Sequence, residues 1–71
     1  MQEHTLHIKV GKRIQEIRTD KNLSQQDLAA NCNYEKSYMS RIEAGKTDAR
    51  LSTYNKIAKG LDVDLMELFR F

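Results

Sequence analysis

Seventy-one residues suffice for one small domain spanning 1–71, with room for only a modest core. Cys32 is the sole cysteine, which excludes an internal disulfide, and no apolar run is long enough for a signal peptide or a membrane span, so a reducing, cytoplasmic setting with no membrane partner is expected. Twelve Lys and Arg against ten Asp and Glu leave a net charge of +2, too small by itself to point to an anionic partner.

Val10, Ile14 and Ile17 are spaced by four and three, which predicts a first helix over about 8–21. Lys9, Lys12, Arg13 and Glu16 fall on its outward face, and Asn22 suits the left-handed residue that stops such a helix. His4 and His7 precede it in a segment expected to fray. Without further ligands in proper array they make a poor metal site.

Ser24 is a good N-cap for a second helix over 25–32, and Asp27 at the third helical position completes a box-like cap. Leu28, Ala29 and Cys32 supply its inward stripe, with Cys32 read as a small buried hydrophobe. Asn33 follows where the turn needs a residue tolerating positive φ.

A third helix over about 36–44 turns Met39 and Ile42 inward, with Tyr34 packing at its entry and Gly45 ending it. Helix 4 is predicted from Ser52, as N-cap, to 59 or 60, with Tyr54, Ile57, Ala58 and Leu61 as its stripe. Asp64 caps a short fifth helix holding Leu65, Met66, Leu68 and Phe69. No run alternates with period two, so the fold class is all-α, five helices in a compact bundle.

Residues 24–44 thus read as two short helices joined by a tight turn, the second starting polar. That is the plan of a helix-turn-helix, whose second helix enters the DNA major groove. With Met39 and Ile42 inward, the outward set on helix 3 is Lys36, Ser37, Ser40 and Arg41, with Tyr38 between the faces. Arg41 has the reach to bond a guanine bidentately. Gln25 and Gln26 open helix 2, where outward backbone amides attract phosphate. Lys46, Thr47 and Arg50 lie past helix 3 as further phosphate candidates.

Charge is distributed in keeping with this. Residues 1–21 carry five bases and three acids, 22–46 three of each, 47–59 three bases and one acid, and 60–71 one base and three acids. The acidic end should face away from an anionic partner. No Gly-rich phosphate loop and no nucleophile with a base and an orienting partner can be assembled, so no enzymatic activity, cofactor or small-molecule ligand is expected.

The segment LSQQDLA, the turn at Asn33, SRIEAGK and KIAKGLDVDLMELF together resemble the phage repressor and Cro-type (XRE-like) family of helix-turn-helix regulators, which includes restriction–modification controller proteins. The resemblance runs over roughly 8–69. It implies a lambda-repressor-like fold, an internal ion pair between Arg18 and Glu43 with spare Arg18 N–H groups for a phosphate, and contact of Gln25 with the DNA backbone. The chain departs from the family pattern at three places. Asn33 stands for the usual Gly, Glu35 for a Ser or Thr cap, and Ala49 for a nearby Pro.

The implied activity is that of a sequence-specific transcriptional regulator, a repressor or controller binding double-stranded DNA as a homodimer. Leu65, Met66, Phe69 and Phe71 form the expected dimer interface: Leu61, Leu65 and Leu68 share the face that fills the core, and Met66, Phe69 and Phe71 remain as surplus apolar groups. A second reading uses the same apolar surface for another protein, as an antitoxin-like interaction module.

Overall fold

A computed structural model describes residues 3–71, with side chains described from Thr5 onward. Helices α1 (Glu3–Asp20), α2 (Gln25–Cys32), α3 (Lys36–Glu43) and α4 (Leu51–Gly60) are followed by a 3-10 helix over Leu65–Phe69. No strand occurs among the described residues. Three boundaries differ from expectation. Helix α1 begins at Glu3 rather than near Ile8, because His7 is tied to distant residues and the turn holding it does not fray. Arg50, not Ser52, occupies the N-cap of α4. The expected fifth α-helix is a single 3-10 stretch of five residues, which Asp64 enters without a side-chain cap bond.

All four helices close in the same way. Asn22, Asn33, Gly45 and Asp62 each take a left-handed conformation, with φ of 59°, 60°, 71° and 59°. In each case the next residue's N–H bonds back across the turn: Leu23 to Arg18, Tyr34 to Ala29, Lys46 to Arg41 and Val63 to Ala58. This is the Schellman arrangement, whose last residue usually packs against the helix it closes. Leu23, Tyr34 and Val63 do so, half-buried against the core. Lys46 is the exception, and α3 therefore ends by presenting a charge to solvent.

The predicted stripes are buried. Val10, Ile14 and Ile17 of α1 meet Leu28, Ala29 and Cys32 of α2, Met39 and Ile42 of α3, and Tyr54, Ile57, Ala58 and Leu61 of α4, with Leu68 closing the bottom. Helix α2 packs on α3 and α4, α1 on α3, and the 3-10 helix on α1 and α4. Gly11 permits the α1–α3 approach: a Cβ there would overlap the carbonyl oxygens of Ile42 and Glu43. The acidic 60–71 segment thereby lies against α1 and α4. Among the described residues no helix is long and apolar enough to cross a membrane.

Candidate nucleic-acid interface

Helix α3 has two distinct faces. Met39, Ile42 and Glu43 are buried, while Lys36, Ser37, Ser40 and Arg41 are exposed together on the other side. Tyr38 sits between, half-buried and edge-on to Tyr34 with ring centroids 5.0 Å apart. Lys56 Nζ lies 4.8 Å from the centre of the Tyr34 ring, which braces the turn from α4. Glu35 occupies the N-cap in extended conformation and makes no side-chain cap bond. The first N–H groups of α3 are therefore not capped by that side chain, beside an exposed acid.

The start of α2 contrasts with this. Ser24 Oγ accepts from the Asp27 N–H at 3.0 Å, and Asp27 Oδ2 accepts from the Ser24 N–H at 2.9 Å. The backbone bond from Ser24, and secondarily its hydroxyl, hold the Asp27 carboxyl below its ordinary range.

Beneath both helices lies a buried polar network. Arg18 Nε donates to Glu43 Oε2 at 2.7 Å and Arg18 Nη2 to Oε1 at 3.0 Å. Arg18 Nη1 donates to the Leu23 carbonyl at 2.8 Å, and Gln25 Nε2 to Glu43 Oε1 at 3.0 Å. One carboxylate thus joins the end of α3 to α1 and to the first residue of α2. The expected spare Arg18 N–H groups for a phosphate reduce to the second hydrogens of Nη1 and Nη2, on a buried guanidinium whose three nitrogens each donate inward. Gln25 is half-buried with one amide N–H committed to Glu43, whereas Gln26 is exposed.

Past α3, Lys46 and Arg50 are exposed and Thr47 is half-buried. Sequence reasoning missed what fastens this connection. His7 Nε2 lies 2.8 Å from Asp48 Oδ1, and His7 Nδ1 is hydrogen-bonded to the Tyr54 hydroxyl. Burial, reinforced by the Asp48 carboxylate, pushes the Tyr54 hydroxyl up to about 12. His4 lies outside the residues with described side chains. Among the described residues, no group of three or more His, Cys, Asp or Glu could hold a metal ion. Cys32 is buried, its thiol pushed up by desolvation.

On the far side, the four apolar residues expected at an interface divide into two pairs. Leu65 and Phe69 are half-buried against the core, with Phe69 edge-on to Tyr54. Met66 and Phe71 are 74% and 60% exposed, so they alone are surplus to the core. Leu51, which sequence reasoning passed over, is 63% exposed at the start of α4. Arg13, expected on the outward face, instead donates from Nε to the Glu67 carbonyl at 2.8 Å and fastens the 3-10 helix to α1.

A family model described as helix-turn-helix matches residues 14–68. The control protein C.MunI of Mycoplasma sp is 37% identical over 65 residues, covering 90% of this chain and 88% of that protein. The crystal structure of the restriction-modification controller protein C.AhdI from Aeromonas hydrophila matches with a TM-score of 0.85 and 38% identity, over 89% of this chain and 96% of that one. The controller protein C.Esp1396I, solved as a tetramer in complex with its natural 35 base-pair operator, matches with a TM-score of 0.83 and 34% identity, over 90% and 84%.

Proposed function

The chain belongs to the helix-turn-helix family of DNA-binding transcriptional regulators, and from that membership we propose that it is a sequence-specific controller or repressor acting as a homodimer on a pseudo-palindromic operator. The observation that carries this reading is the division of α3, whose inner face is locked into the core while Lys36, Ser37, Ser40 and Arg41 stand exposed together. Such a helix keeps its readers in place without side-chain help from the DNA-facing side. Arg41 is the principal base reader, with O6 and N7 of a guanine as its target, and Lys36, Ser37 and Ser40 contribute at neighbouring positions.

Gln25, Gln26, Lys46, Thr47 and Arg50 serve as backbone ligands. They add affinity without reading sequence and make binding salt-dependent. Arg18 has no place in that set; with Glu43 it holds the two helices in register. Met66 and Phe71, flanked by the outer edges of Leu65 and Phe69, form the self-association surface. A two-fold pair would set the recognition helices about 34–36 Å apart, one turn of duplex. The operator-bound tetramer of C.Esp1396I supports self-association.

Selecting bound sequences from a random duplex pool tests the proposal. A pseudo-palindrome carrying a guanine in each half-site is expected. Arg41→Ala should lower discrimination at that position by about 1–3 kcal/mol without changing the melting temperature, and Met66→Ala should weaken self-association. Failure to enrich any sequence, together with salt-insensitive absence of binding at micromolar protein, would overturn the reading. It would leave the exposed Met66–Phe71 surface as a docking site for another protein.

A further inference from the structure

The connection over residues 46–50 has no regular secondary structure, yet three of the proposed phosphate ligands lie in it. Its shape is set from outside. Ala49 is tucked into the core, and Gly45 lies so close to Ile8 of α1 that a Cβ there would overlap it. The third tether is His7, whose side chain is only 13% exposed although Asp48 is 86% exposed. The imidazole of α1 thus sits between α4, through the Tyr54 hydroxyl, and the connection, through Asp48.

We propose that His7 is a positioning residue for DNA binding: it latches the 46–50 connection to α1 and α4, so that Lys46 and Thr47 are held where the phosphate backbone passes. This rests on the reading of those two residues as backbone ligands. The proton arrangement is self-consistent. Tyr54 keeps its proton throughout the physiological range, as an ordinary phenol does, and burial pushes its pKa further up, to about 12. The Asp48 carboxylate can only accept, so Nε2 carries a hydrogen and donates it there; in the neutral imidazole Nδ1 is then the acceptor for the Tyr54 hydroxyl. The bond also restrains the only acid in the connection, whose free carboxylate would repel phosphate. A connection already ordered in the unbound protein loses less conformational freedom on meeting DNA.

Equilibrium binding of the full chain to a selected duplex and to a scrambled one, each over a range of salt, tests the latch. His7→Ala is expected to weaken both duplexes about three- to tenfold and to lower the salt slope by about one, while the ratio between duplexes stays constant. A general loss of fold would lower that ratio and the helical circular dichroism as well. The sharper variants lie at the exposed end. Asp48→Ala removes an acid near DNA, so simple electrostatics predicts tighter binding, whereas the latch predicts weaker binding. Asp48→Asn removes the same charge but keeps an acceptor for the Nε2 hydrogen, and should bind at least as tightly as the parent. Asp48→Ala binding as tightly as the parent, or a folded His7→Ala with unchanged slope, overturns the latch. Lys46→Ala separates the two levels: an unchanged slope there refutes the connection as a phosphate grip, and the latch's role falls with it. A reduced slope there with no effect from His7 or Asp48 refutes the latch alone.

Discussion

The two helices of the motif are secured at opposite ends. Helix α2 is closed at its start by its own side chains, through the reciprocal bonds of Ser24 and Asp27. Helix α3 starts on Glu35 with no such cap, and is secured at its far end, where Glu43 is buried against Arg18 and Gln25. A scaffold helix gains from satisfying its own first amides. Helix α3, lacking such a cap, is held from behind through Glu43. The difference separates the residues that hold α3 from those that would read DNA.

The strongest way to break the comparison is at the buried end of α3. Glu43→Ala leaves the Arg18 guanidinium buried without its partner and should destabilise the fold by about 3–5 kcal/mol, measured by urea denaturation. Replacing both Arg18 and Glu43 by apolar residues of similar volume should cost much less than Glu43→Ala alone, which would identify the loss as an uncompensated charge. Next comes the start of α2, where Ser24→Ala should cost about 1 kcal/mol by the same measurement.

Smaller still is the reverse experiment on α3. Glu35→Ser supplies the missing cap oxygen while removing an acid that suits a helix N-terminus, so a gain below about 1 kcal/mol is expected. The same variant should bind duplex DNA more tightly and with less discrimination between sequences, as an exposed acid at the reading end is lost. No change in DNA affinity would show that Glu35 stands clear of the duplex. The least effect is the acid dependence of the α2 cap. The folded pKa of Asp27 is depressed, so its contribution is complete above the ordinary carboxylate range and fades as pH falls through that range toward the folded value. Asp27→Asn should flatten that part of the stability–pH curve in a series of urea melts.

Much of this architecture was legible because it is written in local spacing. The three- and four-residue recurrence of Val10, Ile14 and Ile17, or of Tyr54, Ile57, Ala58 and Leu61, names the buried faces directly. The Ser24–Asp27 box and the left-handed residues at Asn22, Asn33 and Gly45 are equally local. Asp62 was not recognised as the fourth such residue, since an aspartate gives a weaker signal there than glycine or asparagine. Helix α4 starts after Arg50 although Ser52 is the better capping residue by type. The outward set on α3 followed from the inward one by helical geometry, so the exposure of Lys36, Ser37, Ser40 and Arg41 required no knowledge of the rest of the fold.

By itself, then, the sequence determined the four α-helical segments apart from the starts of α1 and α4, which faces they bury and which side chains α3 turns outward, since each depends on residues three to five apart. Tertiary structure alone decided the partnerships of His7 with Asp48 and Tyr54, and of Arg13 with Glu67, which join residues 41, 47 and 54 positions apart. The Arg18–Glu43 pair, 25 positions apart, was legible only through family resemblance. It also decided that Arg18 turns inward and that Phe69 packs on Tyr54 while Phe71 stays exposed. The physical reason is that a charged or aromatic side chain takes whichever partner packing brings within reach. No periodicity along the chain records which partner that will be.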